Sequence, residues 1–199
     1  MFVPEVRDLV PAVSIVRDDF CFPYLVDLAV ETRTGILHKH IDVKDGNGSM
    51  LLRVRGLTWE FKKKRTMYDP MGVPIITMCR EPGLQAMSSH QKWKVYRGES
   101  LDGSNLLYTV RKSNPIQIKP QLEVFLASNP TGDICDFRVI GRYVSLSFKV
   151  HKGDAILAEV NDKFKLGSLN KGESEARIYP GVDYAFIVSL LVVVDELAS

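Results

Sequence analysis

The densest chemistry in this 199-residue chain is a run of four cations, Lys62, Lys63, Lys64 and Arg65, with Arg53 and Arg55 before it and Lys92, Lys94 and Arg97 after it. Cations gathered at that density attract anions. Beside an anionic bilayer each contributes about 1 kcal/mol. The same residues can equally form a solvated strand whose lysines discourage edge pairing. In an unbroken strand Trp59, Phe61, Lys63 and Arg65 would share one face, so either a bulge intervenes or the strand leaves the sheet there. Nucleic acid is a weaker partner than lipid or acidic protein, because few aromatics interleave with the cations and the pI is only about 8.4.

Catalytic and metal-binding patterns do not emerge beside this cationic block. His38 and His40 stand two apart and would share a strand face, a spacing compatible with a metal, yet no third ligand is evident nearby. They read as exposed histidines on a polar strand. His90 and His151 are isolated, and no G-x-S-x-G, Cys-His or H-E-x-x-H pattern accompanies them. Gly46-Asn-Gly48 lacks the third glycine and following helix of a dinucleotide site and reads as a hairpin turn. Carboxylates are plentiful, but no pair is placed across a cleft by spacing. No catalytic residue, cofactor or metal is therefore expected. Cys21, Cys79 and Cys135 are odd in number and widely spaced, which fits a reducing compartment rather than a disulfide framework. The N-terminus reads as neither a secretion nor a transit signal, so Asn47-Gly48-Ser49 reads as a turn rather than a glycosylated sequon.

Short strands must position these residues. Asp45-Gly-Asn-Gly-Ser49, Asp69-Pro-Met-Gly72, Asp102-Gly-Ser-Asn105 and Lys152-Gly-Asp154 each precede an apolar or alternating run. Such clusters supply the turns of a β-meander. Strands are predicted at 24–31, 36–43, 50–55, 61–68, 73–79, 92–97, 106–111, 116–126, 135–140, 144–150, 155–160 and 175–179. Twelve are enough to close a barrel and remove exposed edges. Period two places Arg53 and Arg55 opposite Leu52 and Val54, and Lys92 and Lys94 opposite Trp93 and Val95. Trp59 and Trp93 read as core. Residues 53–119 hold thirteen Lys/Arg against five Asp/Glu, while the segments on either side are each net −3. One face of the domain is therefore expected to be positive.

The run from Tyr184 to Val194 is apolar at every position but Ser189. As a helix it would extend about 17 Å, too short for a hydrocarbon core of about 30 Å, so it must be buried in protein. β-Branched residues favour a strand, while length and the capping residue Asp183 favour a helix. Asp195 and Glu196 sit badly at the negative end of a helix dipole. Periodicity alone leaves both readings open.

Six ordered blocks carry a resemblance. They are Cys21-Phe-Pro-Tyr24, Asp45-Gly-Asn-Gly-Ser-Met-Leu-Leu-Arg-Val-Arg-Gly56, Trp93-Lys-Val-Tyr-Arg-Gly98, Leu107-Tyr-Thr-Val110, Cys135-Asp-Phe-Arg-Val139 and Ile178-Tyr-Pro-Gly-Val-Asp-Tyr-Ala-Phe-Ile187. Over residues 20–198 the chain resembles the plant LURP-one-related proteins. The resemblance implies a tubby C-terminal-like fold: a closed antiparallel barrel of about twelve strands around a central hydrophobic C-terminal helix at about 182–196. It implies one domain over 20–199; residues 1–19, with prolines at 4 and 11 and no persistent period, read as a partly ordered lead-in. Relatives in that superfamily include phospholipid scramblases and tubby-like, membrane-tethered transcription regulators that bind phosphoinositides, and family members are linked to plant defence. The scramblase palmitoylation and calcium segments have no counterpart here, so scrambling is not expected. The residues with which tubby domains hold headgroups do not carry over position by position.

Together these readings give a non-enzymatic, monomeric, cytoplasmic module without a transmembrane span, with peripheral plasma-membrane or nuclear association as alternatives. Its expected partner is an anionic phospholipid headgroup, a phosphoinositide among them, or else an acidic protein. The candidate contacts are Arg53, Arg55, Lys62, Lys63, Lys64, Arg65, Lys92, Lys94 and Arg97. A small-ligand carrier or an enzyme with a pocket at the barrel mouth is the remaining alternative.

Overall fold

Alternation of apolar and polar residues builds the wall of the molecule. In the computed structural model, which describes residues 12–57, 63–81, 92–113, 121–129, 131–163 and 171–198, it produces twelve strands. They are β1 (Val26–Thr34), β2 (His38–Lys44), β3 (Met50–Leu57), β4 (Lys64–Tyr68), β5 (Pro74–Arg80), β6 (Lys92–Arg97), β7 (Leu106–Lys112), β8 (Gln121–Leu126), β9 (Phe137–Arg142), β10 (Ser147–Lys152), β11 (Ala155–Asp162) and β12 (Lys171–Ile178). Each pairs antiparallel with its sequence neighbours. β1 and β12 pair from Val26 opposite Ile178 to Arg33 opposite Lys171, which closes the barrel. Among the described residues no strand is left with an open edge to template aggregation.

Leu52 and Val54 of β3, Trp93 and Val95 of β6, and Phe137 and Val139 of β9 point inward and are buried, as period two requires. They pack on one long helix, α1 (Tyr184–Ala198), which is buried at every position from Tyr184 to Val194. The helix-or-strand question is thereby decided in favour of a helix. Fifteen residues give a rod of about 22 Å. Tyr108 from β7 and Phe137 from β9 close on the Phe186 ring, at centroid distances of 5.2 and 5.0 Å. A helix with no polar face needs a partner on every side, and the closed sheet supplies one. Ser189, the polar exception in the apolar run, donates to the Phe186 carbonyl and is met by the Tyr108 hydroxyl. The buried polar atoms thus satisfy one another.

Residues 12–25 cross the N-terminal end of α1. Val13 N–H donates to the Gly181 carbonyl (2.9 Å), Asp183 N–H to the Val13 carbonyl (2.9 Å) and Gly181 N–H to the Phe22 carbonyl (2.8 Å). Gly181 turns the chain with φ +77°, a backbone region that favours glycine. Val13, Val16 and Phe20 are buried in the main core. Residues 12–19, within the expected lead-in, therefore form a strap on the barrel, and residues 1–11 lie outside the described chain.

Most strand boundaries shift by a few residues from expectation, residues 116–120 of the strand expected at 116–126 lie outside the described residues, and two shifts bear on candidate residues. The strand expected at 36–43 begins at His38, because Gly35 N–H donates to the His38 carbonyl (2.8 Å) and closes a turn with Ile36 and Leu37 at its tip. The strand expected at 61–68 is seen from Lys64, and Lys63 adopts φ +39°. Trp59, Phe61 and Lys62 lie outside the described residues.

Candidate functional site

Antiparallel order places β3, β4, β5 and β6 side by side, so the cationic segments occupy one contiguous part of the wall. Their side chains nevertheless go to three different places.

Arg65 goes inward. It shares its strand face with core residue Met67 and is 2% exposed. Its Nε donates to Glu196 Oε1 on α1 (2.9 Å), and Nη1 donates to the carbonyls of Leu57 (2.8 Å) and Lys64 (2.9 Å). The path exists because residue 56 is glycine: a Cβ there would stand 2.5 Å from Nη1. Lys63 follows, with Nζ 3.4 Å from both the Glu196 carbonyl and its Oε2. Lys39 of β2 completes the cluster, at 2.5 Å from Asp195 Oδ2 and 3.3 Å from Glu196 Oε1. Burial pushes the Glu196 carboxyl up, but Lys39, Arg65 and Lys63 outweigh it and hold the group below the usual glutamate value. The two acids at the unfavourable end of the helix dipole are thus neutralised by cations from the wall. Arg65, expected as a headgroup contact, is corrected to a buried partner of Glu196: a ligand outside the barrel cannot reach its guanidinium.

A second group is held by neighbours on the surface. Lys92 and Lys94 both face Glu81, at 3.5 and 2.6 Å. That contact raises the Lys94 pKa. Arg97 is exposed but bonds the Val16 carbonyl (2.7 Å), which ties the strap to β6.

The third group faces outward. Arg53 and Arg55 stand two apart on the outer face of β3, beside Tyr68 of β4. Together with Met50, Asp69, Pro70 and Gly72 they line a wall pocket of about 140 Å³. Arg53 Nε donates to Asp42 Oδ1 (2.9 Å). Arg55 is exposed, its guanidinium 5.8 Å from the Tyr68 ring centroid. Among the described residues it pairs with no carboxylate. Lys64 is half-buried at the start of β4. The structure therefore brings Arg53 and Arg55 together and separates them from the pair at Glu81 and from the interior cluster.

His38 and His40 are exposed on the outer face of β2, ring centroids 5.9 Å apart, opposite Leu57 and Arg55 respectively. His151 is half-buried on β10, and burial lowers its pKa. No group of three or more His, Cys, Asp or Glu side chains placed to hold a metal occurs among the described residues. His90 lies outside them.

Sequence reasoning overlooked two features. Lys39 lies in the same alternation phase as buried Ile41 and Val43, and that phase was the available signal for an inward cation. Ile36 and Leu37 were expected inside a strand; at the turn tip they are 85% and 63% exposed.

Comparison with known proteins fixes the lineage. Residues 26–195 match the model of the LURP-one-related family. The chain belongs to that family. It is 42% identical to the protein LURP-one-related 14 of Arabidopsis thaliana over 192 residues, covering 94% of this chain and 91% of that one. It is 34% identical to the protein LURP1 of the same plant over 194 residues, or 92% and 89% of the two chains. An X-ray structure of an Arabidopsis thaliana protein superposes with a TM-score of 0.71 at 31% identity, covering 95% of this chain and all of that one. The barrel and its central helix are thus a LURP-one-related architecture. No helix among the described residues is long and apolar enough to cross a membrane.

Proposed function

We propose that this LURP-one-related barrel is a non-enzymatic module that docks reversibly on anionic membrane surfaces, phosphoinositides included. The observation that carries the reading is Arg55: an exposed guanidinium, free of any carboxylate among the described residues, beside Arg53 and Tyr68 at the wall pocket. A planar guanidinium binds phosphate through two parallel N–H donors, which suits a headgroup. Lys64 on the adjacent strand β4 adds to the field of that wall, Lys92 and Lys94 stand farther round on β6 and share Glu81, and Lys62 and Lys63 border Lys64 in sequence. Such attraction is screened over about 8 Å at physiological ionic strength, so docking is salt-sensitive and readily reversed. Within the cell this reading gives the barrel a part in stress or defence signalling.

Vesicle co-sedimentation tests it. Wild-type protein is expected to pellet with vesicles containing phosphatidylserine or phosphoinositides, and not with phosphatidylcholine alone. Reversing both Arg53 and Arg55 to Glu is expected to weaken binding by about 30-fold or more, from about 1 kcal/mol per lost cation. Equal pelleting with neutral lipid, or no loss in the double variant, rejects the proposal. An acidic protein that is retained by the wild type but not by the double variant, without lipid binding, would favour the scaffold reading instead.

A further inference from the structure

The outer strip that holds Arg53 and Arg55 does not stop at them. Along β2 and β3 the outward positions run Asp42 beside Arg53, His40 beside Arg55, and His38 beside Leu57, and then reach the β1–β2 turn. Leu57 is 48% exposed, and Ile36 and Leu37 at the turn are more so. A shallow groove of about 540 Å³ surrounds that tip, lined by residues 33–38 and His40. One strip thus changes character from cationic to apolar over a few residue steps.

Resting on the headgroup reading above, we propose that the tip formed by Ile36, Leu37 and Leu57 is a wedge that enters the outer layer of an anionic bilayer while Arg55 and Arg53 engage headgroups. The spacing suits this. Outward neighbours on a strand lie about 7 Å apart, and interfacial apolar groups reach about 5–10 Å below the headgroups. A tip at that depth leaves Arg55 at headgroup level and Arg53 one step farther out.

Charge favours an anionic surface as the occupant. Several acids around this end are already engaged: Glu31 with Lys44 (2.6 Å) and Arg33 (3.3 Å), Asp42 with Arg53, and Asp195 and Glu196 with Lys39. Area argues against a folded protein partner. Three aliphatic side chains at a convex turn cover far less than the roughly 800 Å² per partner of a stable interface. A bilayer can combine a small apolar anchor with a polybasic patch, and neither signal needs to be strong alone.

Leu37→Trp supplies the probe, read against the native tryptophan background with phosphatidylcholine vesicles with and without phosphatidylserine. The added emission is expected to shift to the blue on phosphatidylserine vesicles and to be quenched by brominated acyl chains. Ile36→Ser with Leu37→Ser is expected to weaken binding by about tenfold or more, given how much apolar burial contributes to partitioning. Its thermal midpoint should be unchanged, since the tip is exposed. Binding without shift or quenching rejects the wedge and leaves the headgroup reading standing. Wild-type affinity in the double serine variant does the same. Failure of the wild type to bind any vesicle rejects both.

Discussion

The two ends of α1 are closed by opposite means. At the N-terminal end a single carboxylate organises backbone. Asp183 Oδ1 accepts the Phe186 N–H (3.0 Å), and Oδ2 accepts the N–H groups of Ile15 (3.1 Å), Val16 (2.6 Å) and Arg17 (3.3 Å). Burial pushes that carboxyl up, and the four donors pull against the rise. Its charge also suits the positive end of the helix dipole. At the C-terminal end the helix carries acids of the wrong sign, and Lys39, Lys63 and Arg65 converge on them from β2 and the edge of β4. One end depends on hydrogen bonds to a strap, the other on a compact set of buried charges. The two should therefore fail differently.

The largest effect is expected at the charged end. Arg65→Met leaves Glu196 buried with fewer cations and takes one donor from each of the Leu57 and Lys64 carbonyls. Breaking a buried pair on one side costs about 3–5 kcal/mol, readable as a lowered urea midpoint. Adding Glu196→Met should recover part of the loss; if the double variant is less stable than the sum of the two singles, the charge-pair account fails.

Next comes Asp183→Ala, which removes a helix cap together with acceptors for the strap. The expected cost is about 2–4 kcal/mol, with faster amide exchange at Ile15, Val16 and Arg17. Unchanged exchange at those three amides would show that the strap holds without the carboxylate.

Acid separates the ends further. The folded-state pKa of Glu196 is depressed, so its contribution is present above the unfolded value of about 4.3 and is lost as pH falls through the lower folded value. Glu196→Gln should flatten the acid limb of a stability-versus-pH curve, even though it lowers stability at neutral pH. A limb of unchanged slope would place acid sensitivity elsewhere.

The smallest effect is expected on the outer wall. Lys92 and Glu81 are each near half exposed, and removing Lys92 should change stability by about 0.5 kcal/mol or less. A larger loss would mean that the wall cations are structural and not available for a partner.

Much of the barrel was legible because its signals are local. Asp45 fixes its own turn by accepting the N–H groups of Asn47 (2.9 Å) and Ser49 (2.8 Å), and the same residues marked that turn in the sequence. Alternation in β6 placed Trp93 inside and Lys94 outside without knowledge of any partner strand. Asp183 was readable as a cap for the same reason, since the helical amide that it accepts is three residues on. The candidate site was legible only in part. Lys62 to Arg65 read as one cationic run, yet Arg65 turns inward and Lys63 pairs with Glu196, while Arg55, unlike Arg53, is exposed and meets no carboxylate among the described residues. Ile36 and Leu37 extended an apolar pattern into a turn, which hid a tip as a strand.

The amino-acid sequence by itself determined the turns, the inward and outward faces, and an apolar run too short to span a bilayer and too greasy for water, because each depends on residues a few positions apart. Only the tertiary structure decided that this run is a helix inside the barrel and that some cations of the basic block serve it. Arg65 and Glu196 are 131 positions apart, and two charges that distant meet only after the sheet has closed around the helix.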